Sequence, residues 1–146
     1  MDEAFIKKVQ PNSPEAEQSV IGAMIMDRDA IADVIDIVSA DDFYQKQNGI
    51  LFEAMTELYR EGKPVDLVTL QNKLKKKDVP ESMKSLEFIR DLLEAVPTSA
   101  NAKQYAKIVS EKATLRKLIK VTEDITTECY LGKDDVTEIL DHTEKN

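Results

Sequence analysis

One cysteine, one histidine, no tryptophan, four glycines and five prolines in 146 residues leave little material for several large classes of protein. With Cys129 alone, no intrachain disulfide can form and a four-cysteine metal site is excluded. His142 stands near the C-terminus among polar residues, with no second histidine and no serine or cysteine at a useful spacing, so it reads as a solvated helix-end side chain. Gly22, Gly49, Gly62 and Gly132 are too scattered to cradle a phosphate, and no Gly-x-x-x-x-Gly-Lys string exists. No apolar run approaches the ~20 residues of a membrane span, and the start, Met1-Asp2-Glu3-Ala4-Phe5, has no secretory pattern. With the lone thiol, this fits a reducing cytoplasm.

Positive charge is also in deficit. Twenty Lys and Arg face 28 Asp and Glu, and the net charge of -8 repels phosphate, which disfavours direct binding of nucleic acid. The nearest basic patch, Lys73, Lys75, Lys76 and Lys77, falls at the end of a predicted helix, where cations complement the negative helix terminus. The acidic pairs Asp41-Asp42 and Asp134-Asp135 each precede an apolar helical run and read as caps rather than as a metal site or an acid–base pair. Cys129 reads as a half-buried packing residue. No catalytic, cofactor-binding or metal-ligating residue emerges.

What is present is helical periodicity over nearly the whole length, with 42% hydrophobic residues, enough for a core. The class is all-α. Residues 1–12 lack the pattern and read as a loosely held arm. Ser13-Pro14 opens a helix running to about Met26, and Asp27 or Asp29 caps a second through Ile31, Val34, Ile35 and Val38 to Ser39. Ile50, Leu51, Ala54, Met55, Leu58 and Tyr59 mark a third, stopped by Gly62-Lys63-Pro64; Asp66 opens a fourth through Leu74, and Leu86 to Val96 make a fifth, ended by Pro97. From Ser99 to about Tyr130 there is no Pro or Gly, which predicts a rod of about 45 Å. Gly132 breaks it, and Asp134 or Asp135 caps a last helix through Val136, Ile139 and Leu140.

The expected organisation is an arm at 1–12, a globular helical head at 13–97 and a helical hairpin at 98–146. The hairpin carries Tyr105, Ile108, Val109, Leu115, Leu118, Ile119 and Ile125, a stripe too wide for one short helix to cover. Two helices alone make a poor core, so pairing with another copy is favoured over folding back on the head. Tyr105, Ile108, Leu115, Leu118 and Ile119 are the self-association candidates.

Five strings carry a resemblance: Pro14-Glu15-Ala16-Glu17-Gln18-Ser19-Val20-Ile21-Gly22-Ala23, Asp42-Phe43-Tyr44, Gly62 through Leu70, Val96-Pro97-Thr98-Ser99-Ala100-Asn101, and Tyr105 through Lys112. In this order and spacing they resemble the N-terminal domain of the bacterial replicative DNA helicase, the DnaB family, over residues 11–145. The chain departs from the family pattern at Asn48-Gly49, where the family usually has His-Gln, and at Glu81-Ser82-Met83-Lys84, where a Gly-Gly stretch is usual. Both lie in connectors or helix starts, so they bear on local surface detail rather than on the fold, and leave open which partner docks there.

The resemblance implies a head and a hairpin that pairs with a neighbour, three such pairs forming the N-terminal collar of a hexameric ring. It also implies that the ATP- and magnesium-dependent motor lies in the parent helicase beyond Asn146, and that this segment binds no cofactor. The partners it implies are further copies of the chain, the C-terminal domain of primase, and a helicase loader whose identity and site the residues leave open. By position Phe88, Ile119 and Ile125 match primase-docking sites of the family, although periodicity alone reads all three as ordinary core. A stand-alone adaptor that binds or regulates a helicase by mimicking its collar is the alternative from another class.

Overall fold

A computed structural model describes residues 9–94, 101–132 and 135–145. The expected arm at 1–8, the Val96 to Ala100 part of the fourth string and the cap candidate Asp134 lie outside the described residues. Those described form seven α-helices and two short 3-10 segments, with no strand. Two compact units divide them: Asn12–Glu111 is one, and the other is formed from Lys112 onward together with the segment ending at Pro11.

In the first unit, α1 (Pro14–Met26) starts as its sequence dictates, with Ser13 Oγ accepting from the Ala16 amide at 3.2 Å and Pro14 in the first turn. Asp27 then serves two helices. Its own amide donates to Ala23 O at 2.9 Å, closing α1, while its carboxylate accepts from the Asp29 amide at 2.9 Å, opening α2 (Arg28–Ile35). α2 stops short of Ser39, because the Ile37 and Val38 amides both turn back to Val34 O, and Val38 is buried from outside the helix. A 3-10 turn follows at Ala40–Asp42, where the Asp42 carboxylate accepts from the Ser39 amide at 2.9 Å, so this acidic pair does cap.

The central helix is α3 (Lys46–Arg60), which buries Leu51, Phe52, Ala54, Met55 and Leu58 and packs on α1, α2, the 3-10 turn and α4 (Leu67–Lys75). It begins four residues before its apolar pattern does. Its own cap residue, Gln45, makes no capping bond with its side chain. Instead Glu17 of α1, 1% exposed, accepts from the Tyr44 amide (2.8 Å), the Gln45 amide (3.1 Å) and Asn48 Nδ2 (3.1 Å). One turn on, a Cβ on Gly49 would stand 2.7 Å from the Ala40 carbonyl oxygen, so the close passage of α3 over the 3-10 turn requires glycine there. Asn48 and Gly49 are therefore buried packing residues, contrary to the expectation that they alter surface detail.

α3 ends in a Schellman motif: Gly62 has φ of 73°, its amide donates to Tyr59 O, and the Lys63 amide donates to Leu58 O. Arg28 reinforces that end, its guanidinium lying 4.9 Å from the Tyr59 ring centroid and donating to Lys63 O at 2.7 Å. α4 opens with a reciprocal box in which Asp66 accepts from the Thr69 amide and Thr69 Oγ1 from the Asp66 amide, both at 2.9 Å. Two of the four clustered lysines do more than complement the end of α4. Lys73 pairs with Glu61 at 2.7 Å and Glu57 at 3.3 Å, and Lys77 with Glu57 at 3.0 Å, lacing α4 to α3. The second 3-10 segment, Glu81–Lys84, buries Met83, and α5 (Leu86–Glu94) seats Ile89 and Leu92 in the core.

Two predictions follow from these contacts. Removing the Glu17 carboxylate orphans two amides and the Asn48 side chain in a buried place, so Glu17→Ala should destabilise the chain by about 2–4 kcal/mol, read from the shift of a urea unfolding midpoint. Hydrogen bonds from Lys73 and then Lys63 hold the Glu61 carboxyl down to about 2. At Glu57, partial burial pushes the pKa up, but hydrogen bonds from Lys77 and Lys73 outweigh it and the net direction is down. Carboxylates depressed in the folded state bind fewer protons there than when unfolded. Their contribution is therefore complete above the ordinary carboxylate pKa of 4.5 and is lost as pH falls through it toward about 2. Glu61→Gln should flatten the acid limb of stability against pH in that window, and an unchanged limb would remove this pair from the acid response.

Candidate assembly surface

The longest helix, α6 (Ala102–Leu131), belongs to both units. Its first turns complete the head: Ala102, Ala106 and Val109 are buried in the head's core, and Tyr105 and Ile108 pack half-buried against it. The expected division at 97 and 98 thus differs from the packing, which carries the head to Glu111. The head itself satisfies much of the Tyr105 and Ile108 surface that periodicity alone offered to another copy.

Beyond Lys112 the same helix lacks such cover. Leu115 is 44% and Leu118 51% exposed, and Ile119 is half-buried. With Thr122, Glu123, Thr126 and Thr127 they line an open groove of about 830 Å³, walled on its other side by Pro11. The spacing 115, 118, 119, 122, 126 is one stripe of an α-helix. The threonine hydroxyls make no demand on a partner, because Thr122 donates to Leu118 O (2.7 Å), Thr126 to Thr122 O (2.8 Å) and Thr127 to Glu123 O (2.9 Å). Arg116, at the groove's edge, donates from Nη1 to Pro11 O at 2.8 Å, across 105 positions of sequence. Charge changes sign along this stretch of α6, with Arg116, Lys117 and Lys120 preceding Glu123, Asp124 and Glu128.

The hairpin closes through Gly132, at φ of 60°, and α7 (Val136–Lys145), whose Ile139 amide donates to Asp135 O. His142 is no solvated end residue: its Nδ1 lies 3.0 Å from a Glu128 oxygen and ties α7 to α6. The signal was available, since positions 128 and 142 are mirror images about the turn at 135. Cys129 is exposed rather than half-buried, and Tyr130, Leu131, Val136 and Leu140 are exposed with it. Ile125 is half-buried in this unit. Phe88 lies in the head, half-buried beside Ile89 on α5, so the three primase-docking candidates are divided between the two units. The Arg116 bond to Pro11 and the Glu17 clamp left no sequence signal, since each joins residues with no shared periodicity.

The four glycines lie apart in the structure. Gly22 and Gly49 sit inside α1 and α3, and Gly62 and Gly132 each end a separate helix, so no run of glycine amides surrounds a phosphate. No group of three or more His, Cys, Asp and Glu among the described residues is placed to hold a metal ion. None of the described helices is long and apolar enough to cross a membrane.

A helical head followed along one continuous helix by a hairpin with an exposed apolar stripe defines an all-helical domain of two compact units. The chain matches the model of the DnaB-like helicase N terminal domain over residues 9–111, and it belongs to that family. It is 36% identical over 145 residues to the replicative DNA helicase DnaB of Geobacillus stearothermophilus, covering 99% of this chain and 32% of the relative. It is 37% identical over 138 residues to the DnaB of Pasteurella multocida, covering 94% and 30%. The chain thus spans about a third of the length of the curated relatives it matches. Among solved structures, it is similar to the N-terminal domain of DnaB helicase from Mycobacterium tuberculosis, with a TM-score of 0.87 at 36% identity, covering 93% of this chain and 96% of that one. The N-terminal domain of DnaB helicase from Helicobacter pylori, described with its interactions with primase, shares the fold at a TM-score of 0.69 and 23% identity, over 89% and 99% of the chains.

Proposed function

We propose that this chain acts in DNA replication as the assembly and primase-docking domain of a replicative helicase. On this reading its own surfaces pair copies into dimers, three dimers organise a hexameric collar, and the collar recruits the C-terminal domain of primase. The observation that carries it is the open stripe at Leu115, Leu118 and Ile119 on a helix whose first turns are already committed to the head. Exposed leucines at helical spacing are stable when another apolar surface covers them. Family membership supports the replicative setting, and the Helicobacter pylori domain and a DnaB-like replicative helicase are both described with their interactions with primase. ATP and magnesium serve the motor of the parent helicase, and a helicase loader is a further partner whose site on this chain stays open.

For primase, Phe88, Ile119 and Ile125 are the docking positions. Each is half-buried, so each can anchor in its own unit and still present an edge to a partner. The net charge of -8 leaves nucleic acid to other parts of the assembly.

A concentration series of solution mass, repeated with added primase C-terminal domain, tests both halves of the proposal. Leu118→Asp should shift the mass toward monomer at unchanged helical content, because an unpaired carboxylate in an apolar contact costs several kcal/mol by order of magnitude. Phe88→Ala, still folded, should weaken primase binding roughly tenfold, the ~1–3 kcal/mol typical of an apolar anchor. A parent chain that stays monomeric throughout sinks the assembly role. Undiminished binding by Phe88→Ala, and by alanine at Ile119 and Ile125, removes primase docking from these positions.

A further inference from the structure

The groove on α6 has two walls, and only one of them is helical. We propose that Pro11, held on α6 by Arg116, is part of the self-association surface, and that the groove's occupant is the α6 stripe of a second copy. This rests on the self-association reading above and adds to it a second element and a positioning residue.

Three observations carry it. First, Pro11 is anchored: Arg116 donates a guanidinium hydrogen bond of 2.8 Å to its carbonyl, and Pro11 lines the same groove as Leu115, Leu118 and Ile119. A proline at this place is an apolar wall with no amide left to satisfy. Second, Thr122 and Thr126 ask for no acceptor from an occupant, since their hydroxyls already donate to carbonyls of their own helix. What remains for an occupant is apolar contact of the kind one helical stripe makes with another.

Third, charge selects the occupant. The basic residues Lys117 and Lys120 lie on one side of the groove's midpoint near Thr122 and the acidic Glu123 and Asp124 on the other, with Lys120 Nζ 3.7 Å from Asp124 on the same helix. Two copies of α6 crossing antiparallel about that midpoint set each basic stretch beside the other's acidic one, whereas a parallel pair sets like against like. A two-fold pair needs a patch complementary to itself, and this helix is one. Exposed charges of this kind choose orientation more than they add affinity.

Arg116 therefore acts through Pro11, which it positions and which meets the second copy. In the full chain, Arg116→Ala and, separately, Pro11→Asp should each raise the dissociation constant of the pair about five- to tenfold without loss of helical content. Leu118→Asp should raise it further. A second readout follows the arm itself. Tryptic cleavage after Lys8 should slow in the parent as concentration rises through the pairing range, and should not slow in Arg116→Ala. If Leu118→Asp dissolves the pair while the Arg116 and Pro11 variants change neither mass nor cleavage, Pro11 is no part of the surface and the self-association reading stands. If Leu118→Asp leaves the mass unchanged, the groove is not the pairing face and both fall. Should Arg116→Ala lose helix, Pro11→Asp, which lies outside every helix, decides alone.

Discussion

A single buried carboxylate organises the head. Taking Glu17 out of water costs several kcal/mol, and that cost is offset only because three donors converge on it from the segment leading into α3. Its negative charge also stands at the positive start of a fifteen-residue helix. The clamp fixes where α3 begins and ties it to α1. Since α1, α2 and α4 all pack on α3, the position of that first turn bears on all of those contacts. Gly49, one turn further, works under the same constraint, its missing side chain making room for the Ala40 carbonyl.

Elsewhere in the head, polar groups are spent on ending helices rather than on chemistry. Asp27 closes one helix and opens the next, Asp42 and Asp66 hold their turns, and Arg28 covers the carbonyl end of α3. The lysine cluster, which looked like the one concentration of positive charge, is partly consumed by Glu57 and Glu61.

The second unit shows the opposite condition. α6 is one unbroken helix, yet its first turns find a core and its later turns do not. Continuity of the backbone hydrogen bonds carries the helix out of the head, and the apolar pattern carries on with it. An apolar stripe left without a core is the feature on which the proposed docking rests. The family matched over residues 9–111 has its model end where the head's packing ends, while the Mycobacterium tuberculosis fold match extends over 93% of the chain.

The helix starts at Ser13-Pro14 and Asp66, the stop at Gly62 and the break at Gly132 were legible from residue type, because a cap or a left-handed turn is a local event decided by one side chain and its neighbours. The all-α class followed from periodicity, and the family from five strings in register. Periodicity could not divide the stripe of α6, since Ile108 and Leu118 look alike in sequence; only the tertiary structure shows that one meets the head and the other meets solvent. It could not assign Glu17, whose partners stand 27 to 31 positions away, nor Arg116, which reaches back 105. Nor did it place Asn48 and Gly49 inside or Cys129 outside. Local propensity is written residue by residue, whereas burial depends on which distant surface arrives, and that is settled only when the whole chain packs.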